Sequence, residues 1–113
     1  MRYFLKNYIA SQKTEPVFIK KLGDFEVYTF KMKVAEANDF LNIFNTETNK
    51  NDKLQNAKKL AFMIVDKSGK KPFSIDNADD LADLQELPFD DFQAIANKFN
   101  ELNGFTAEPE KKQ

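Results

Sequence analysis

Residues 54–66 read LQNAKKLAFMIVD and contain the longest apolar run of the chain, residues 60–65. Apolar side chains recur there at the spacing of one helix face, which predicts a helix that begins near Asn51 or Asp52 and ends near Asp66. That face comprises Leu54, Ala57, Leu60, Ala61 and Ile64. The end of the segment is apolar on all sides, so we expect it to be the central, most buried element of the fold. A short strand over residues 60–65 is the competing interpretation.

Two strand candidates and a short helix precede this segment. Residues 25–33 read FEVYTFKMK, and residues 17–22 read VFIKKL. β-Branched and aromatic residues dominate both, and a Gly-Asp pair separates them, so we expect an antiparallel hairpin. A two-stranded hairpin is marginally stable alone and must pack against other elements. A helix over residues 2–10 is predicted from the helical spacing of Tyr3, Phe4, Leu5, Tyr8 and Ile9.

Two more helices are predicted around the central segment. Residues 34–45 carry one apolar stripe, formed by Ala37, Phe40, Leu41 and Phe44. Residues 76–85 form a short acidic helix that Ser74 or Asp76 can cap. We expect its inward residues to be Ala78, Leu81 and Ala82.

The last predicted helix begins at Pro88, which fits a first helical turn, and its early acids complement the helix dipole. Its apolar stripe comprises Phe89, Phe92, Ala96, Phe99 and Leu102. Gly104 is a natural terminator, and Phe105 is placed to fold back in a Schellman motif. Residues 106–113 are polar, and we expect a disordered tail there.

These elements predict a mainly α fold of the α+β class, a bundle of four to five helices with a short N-terminal β-hairpin. A chain of 113 residues is the size of one domain, which we expect over residues 1–105. The residues expected to be substantially buried are Phe40, Phe44, Leu60, Phe62, Ile64, Phe92, Phe99 and Leu102.

The composition argues against several classes of function. The chain has no Cys, His or Trp, which excludes disulfides, thiol nucleophiles, His-dependent triads and zinc fingers. Arg2 is the single Arg among 17 basic residues, which argues against sequence-specific nucleic-acid recognition. The longest apolar run is far too short to cross a membrane. We therefore expect no enzyme, no cofactor, no metal, no nucleic-acid partner and no membrane partner.

The net charge of −1 is unevenly distributed. Residues 1–22 carry five basic residues and one acidic residue, a net of +4, whereas residues 72–103 carry eight acidic residues and one Lys, a net of −7. Intramolecular neutralisation with solvated faces is one interpretation. The other is a polarised surface that attracts partners or stacks copies head to tail, and it predicts self-association.

Two groups of residues are candidates for partner binding. Asp76, Asp79, Asp80 and Asp83 are spaced to share one helix face, which is a solvated face, a cation site or a docking surface for a basic helix. Their pattern does not match a Ca²⁺-binding loop. Lys20 and Lys21 lie in the basic N-terminal segment, and Tyr28 and Phe30 in a strand candidate whose bulky residues are either core or an assembly surface.

The order of these motifs resembles a known protein family. Residues 60–66 read LAFMIVD, the turn KSGKKPF follows, then an acidic helix, and LNG stands at residues 102–104. This arrangement over residues 1–105 resembles the tail assembly chaperones of bacteriophages with long, flexible tails. Their pattern is V-x-D-x-x-G-x-x-x-F before an acidic helix, with a terminal L-N-G. Here Val65 precedes Asp66 directly, with Gly69 and Phe73 downstream.

The resemblance implies a non-enzymatic chaperone that binds the long tape measure protein in the host bacterial cytoplasm. Such proteins keep that client soluble for tail tube assembly and are absent from the finished particle. A structural or adaptor subunit that stays in the tail is the alternative. Many members also have a longer product, made by a programmed frameshift, that contacts tail tube protein. Glu110-Lys111-Lys112 is our candidate for such a slippery site, and an ordinary charged tail is the other interpretation.

Overall fold

Five helices and one antiparallel hairpin make up the described part of the chain, which a computed structural model gives for residues 2–12, 15–44 and 53–105. The elements confirm the predicted mainly α fold with an N-terminal hairpin. They are α1 (Arg2–Ser11), β1 (Val17–Leu22), β2 (Phe25–Thr29), α2 (Val34–Phe44), α3 (Gln55–Met63), α4 (Ala78–Gln85) and α5 (Phe89–Leu102). The predicted start at Asn51 or Asp52 and the predicted tail 106–113 lie outside the described residues.

The hairpin is tightly closed, and its second strand is shorter than the sequence predicts. Leu22 pairs with Phe25 across a turn in which Gly23 has a φ of 66°, a conformation that glycine adopts without strain. Strand β2 ends at Thr29 rather than at residue 33. Beyond the strand, the chain bonds to the end of α5: the Met32 backbone N–H donates to Oδ1 of Asn103, the C-cap residue of α5, at 2.7 Å instead of to a neighbouring strand.

Helix α3 combines the two interpretations of the central segment. It ends at Met63, three residues before the predicted Asp66, and the next residue is extended with a ψ of 129°. Val65 then forms an isolated antiparallel bridge with Tyr28, with backbone hydrogen bonds of 3.3 and 2.9 Å. The Thr29 hydroxyl donates to the Met63 carbonyl at 2.8 Å, which satisfies a carbonyl that the helix end leaves open. The hairpin therefore terminates α3.

The core centres on α3, as expected, since residues 60–65 are all buried. Helix α3 contacts α2, α4 and α5. Of the eight residues predicted to be substantially buried, five are buried and three are half-buried; the half-buried ones are Phe40, Phe92 and Leu102. Four Phe rings meet in this core: Phe30, Phe40, Phe62 and Phe99.

Helix α4 begins later than predicted and turns a different face inward. Its N-cap is Asn77, whose side chain accepts from the Asp80 N–H at 3.0 Å, and neither Ser74 nor Asp76 serves as the cap. Leu81 and Leu84 are buried, and the expected inward residues Ala78 and Ala82 are exposed. Burying two leucines removes more apolar surface from water than burying two alanines, which sets the rotation of the helix.

Helix α5 follows the prediction except at its first turn. Phe99 and Ile95 are fully buried, whereas Phe89 is 63% exposed. A helix turns about 100° per residue, which places Phe89 on a different side of α5 from those two residues. Ile95 was absent from the predicted stripe. Gly104 has a φ of 74°, and the Phe105 N–H donates to the Asn100 carbonyl at 2.8 Å, which confirms the Schellman ending.

Candidate binding surfaces

Helix α1 presents an apolar side to solvent. Phe4, Leu5, Tyr8 and Ile9 are 78%, 59%, 62% and 58% exposed. Their spacing places them on one side of the helix, and we call these four residues the α1 face. Helix α1 has no acidic residue, and Arg2 and Lys6 make it basic. Such a face is costly to leave in water, so it is a candidate contact surface for another protein.

An apolar groove opens where β1 ends, between the hairpin turn and α4. Its volume is about 260 Å³, and Asp83 is the charged residue in its lining. Phe25 and Phe73 form one wall, with their rings edge to face and 5.7 Å between centroids. We call this the hairpin–α4 groove, and its apolar lining comprises Leu22, Phe25, Ile64, Phe73, Leu84 and Leu87.

The predicted acidic face is divided by the structure. Asp76 precedes α4, so three of the four acids lie on the helix. Asp80 is used locally, because its Oδ2 accepts from the Ser74 N–H at 2.9 Å. Asp79 and Asp83 are exposed, and Asp83 alone of the four borders the hairpin–α4 groove. Within the described ranges, no cluster of acidic side chains is arranged to hold a metal ion.

The two candidate lysines of β1 have different environments. Lys20 forms an ion pair with Asp91 at the start of α5, and the Asp91 side chain is only 14% exposed. This hydrogen bond raises the pKa of Lys20 above its usual value. Lys20 therefore joins the hairpin to α5, whereas Lys21 is exposed and accessible to a partner.

The two candidate aromatics of the predicted second strand also divide between core and surface. Phe30 is 9% exposed, and its ring packs against Phe62 and Phe99, which places it in the core. Tyr28 is half-buried and meets Phe18 edge to face, with 5.4 Å between ring centroids. Burial and a hydrogen bond from its hydroxyl to Glu26 raise the pKa of Tyr28.

Lys71 has an unusual position for a lysine. As a whole residue it remains exposed, but its Nζ lies 4.1 Å from the ring centroid of Phe62 and 4.3 Å from that of Phe30. The same Nζ donates to the Phe62 carbonyl. Burial lowers the pKa of Lys71 to about 8, and the charge of Glu36 opposes this shift. The Lys71 side chain covers the Phe30 and Phe62 rings at the edge of a shallow surface pocket that it also lines.

Comparison with known proteins adds no family to this picture, because no family model, no curated protein and no solved structure matches the chain. None of the helices in the described ranges has the length and apolar character that a bilayer crossing requires.

The α1 helix is predictable from the sequence, but its role as a candidate binding surface is not. Exposed aromatic residues look the same in sequence as buried ones, so the helical spacing alone could not show it. The hairpin–α4 groove is not predictable either, because the lining comes from separate segments between Leu22 and Leu87 that only the fold brings together.

Proposed function

We propose that this chain is a non-enzymatic tail assembly chaperone of a long-tailed bacteriophage, which coats the tape measure protein and keeps it soluble. The observation that carries the proposal is the α1 face, four apolar side chains exposed on a helix beside a folded body. A protein that acts by contact needs such surfaces more than it needs reactive groups. The order of motifs that resembles the chaperone family supplies the identity of the client.

Coating a long client favours repeated weak contacts over one strong contact. Each added subunit is held near its neighbours, so modest affinities combine along the client. The basic segment 1–22 and the acidic segment 72–103 give the chain two oppositely charged regions through which copies can associate. The proposed site of action is the host bacterial cytoplasm, with release before the particle is complete.

The test uses the gene's own neighbourhood. The proposal requires a very long, coiled-coil-like reading frame just downstream, and its product is expressed alone and together with this chain. We expect the long product to be insoluble alone and to become soluble when both are present. The absence of such a reading frame, or an unchanged soluble fraction, would contradict the proposal.

A double variant isolates the contribution of α1. Phe4→Ser with Ile9→Ser removes two apolar groups of the α1 face, and we expect it to rescue less of the client than the unmodified chain does. Tyr3→Ser is the matched control, because Tyr3 is 82% exposed but lies off that face. Mass spectrometry of purified particles then separates the two phage functions: a chaperone leaves, whereas a structural or adaptor subunit is found in the particle.

A further inference from the structure

We propose that the α1 face docks into the hairpin–α4 groove of a second copy of this chain, which joins copies head to tail. The inference names the contact between copies that the proposed coating uses, and it rests on that function only for its biological purpose. The purified chain alone tests it. Both surfaces belong to the described residues, and both are accessible there.

The two surfaces do not meet within one chain. Helix α1 precedes β1 and joins it on the Val17 side, whereas Leu22 and Phe25 place the groove at the hairpin turn. The α1 face remains exposed in this arrangement. A groove on another molecule can cover it.

The chemistry of the two surfaces is complementary. The groove is lined by six apolar residues, of which Ile64 and Leu84 are buried and the other four are half-buried, and its volume of about 260 Å³ is below the usual range for a small-molecule pocket. It suits the inserted side chains of an amphipathic helix, whose recognition uses residues at this helical spacing. Lys6 is an i,i+3 neighbour of Ile9, at one margin of the α1 face, and Asp83 borders the groove, which gives a cation on one side and an anion on the other.

The geometry of the contact determines the type of assembly. One copy supplies its helix and the next supplies its groove, so the interface is heterologous and each bound copy leaves one free helix and one free groove. Such a contact adds copies in a row rather than stopping at a symmetric dimer. The contact area of a ten-residue helix is small, so a single junction is weak and depends on concentration.

The experiment measures mass in solution by sedimentation velocity, at concentrations from about 10 μM to 1 mM, a range that covers weak association. We expect the weight-average mass of the unmodified chain to rise above the monomer mass of 13.1 kDa. The helix variant, Phe4→Ser with Ile9→Ser, and the groove variant, Leu87→Lys, should each stay monomeric. Circular dichroism verifies that both remain folded.

Mixing the two variants gives the decisive readout. The helix variant still has a groove and the groove variant still has a helix, so together they should form a dimer of twice the monomer mass and nothing longer. With the helix variant labelled with ¹⁵N, the amides of Leu84 and Leu87 should shift when the unlabelled groove variant is added. A symmetric α1–α1 contact would instead leave the groove variant able to dimerise alone, and that result would overturn the proposal.

Charge variants test the same junction without disturbing the apolar lining. Lys6→Glu and Asp83→Lys should each weaken association, and a mixture of the two should recover it. Asp39→Lys is the control, because Asp39 is an exposed acid of α2 outside the groove and the change of charge is the same. An unmodified chain that remains monomeric at 1 mM overturns the inference, while the client-solubility test of the proposed function stands separately.

Discussion

Asn103 holds the end of α5 against the segment that leaves the hairpin. Its Oδ1 accepts from the Met32 N–H at 2.7 Å, and its Nδ2 donates to the carbonyls of Phe30 at 3.2 Å and Phe99 at 2.8 Å. One half-buried side chain thus satisfies three backbone groups from two elements. The Asn of the L-N-G motif therefore has a structural role in this fold, and Gly104 beside it supplies the left-handed conformation that ends the helix.

Removing this side chain should cost stability. We expect Asn103→Ala to lower the free energy of unfolding by about 1–3 kcal/mol, because three partly buried backbone groups lose a partner. Asn97→Ala, at an exposed position of the same helix, should change it by less than about 0.5 kcal/mol. Urea denaturation of both variants measures the difference. Equal effects would show that the network contributes little.

Lys71 predicts a pH dependence of the free energy of unfolding. Its pKa is about 8 when folded and 10.5 when exposed, so between these values the unfolded chain binds a proton that the folded chain has released. The free energy of unfolding should therefore gain a contribution that rises with pH from about 8 to 10.5. Below pH 8 the buried charge is destabilising.

Substitution by Met separates this contribution from the other titrations. Lys71→Met should be more stable than the unmodified chain at pH 7, and its advantage should shrink by pH 9.5 as the lysine loses its charge. Urea unfolding at both pH values gives the comparison. Lys67→Met, at an exposed position in the preceding turn, is the matched control for the substitution itself. An advantage that stays constant with pH would contradict the assignment.

At the scale of elements, helical periodicity predicted most helices, but local patterns could not place their ends. Helix α3 ends at Met63 because Tyr28 and Thr29, more than 30 residues earlier, bond to its last turn and to Val65. The sequence around residue 63 therefore does not contain the signal that ends the helix. The predicted inward face of α4 was right at Leu81 and wrong at Ala78 and Ala82 for a related reason. Helical spacing lets Leu81 share a face with Ala78 or with Leu84, and only packing against α3 decides between them.

The motif residues behind the family resemblance all have structural roles in this fold. Asp66 Oδ1 accepts from the Ser68 hydroxyl at 2.8 Å and from the backbone N–H groups of Lys70 and Ser68, both at 2.9 Å, which lowers the pKa of Asp66 and fixes the turn. Gly69 has a φ of 91° in the same turn, and the Phe73 ring packs on Phe25. These motif residues therefore support the turn and the packing of this fold.

A Phe→Ala substitution should have a small effect on stability in helix α1 and a large effect in helix α5. Phe4 is 78% exposed, and Phe99 is fully buried. We expect Phe4→Ala to change the free energy of unfolding by less than about 0.5 kcal/mol, and Phe99→Ala to lower it by about 3–5 kcal/mol. Denaturation at low protein concentration measures both. A large loss from Phe4→Ala would mean that α1 packs on the body of its own chain.

At the scale of the whole molecule, the separation of charge predicts how association responds to salt. In the proposed head-to-tail assembly, the basic region of one copy attracts the acidic region of the next, and added salt screens that attraction. The weight-average mass should therefore fall as NaCl is raised from about 50 to 500 mM. Asp83→Lys should reduce this salt dependence, and Asp39→Lys should preserve it. If the weight-average mass is independent of salt in all three proteins, the charged regions form solvated faces and do not join copies.

The bond between Met32 and Asn103 also sets the order in which the molecule can be completed during synthesis. Its partners are 71 residues apart, and at about 5–20 residues per second a ribosome needs roughly 4–14 s to make the chain between them. During that interval the hairpin residues have been synthesised before α5 is made, and Phe30 lacks the Phe99 ring that covers it. A nascent hairpin with open edges is prone to aggregation. A protein proposed to protect a long client from aggregation thus passes through an aggregation-prone stage of its own.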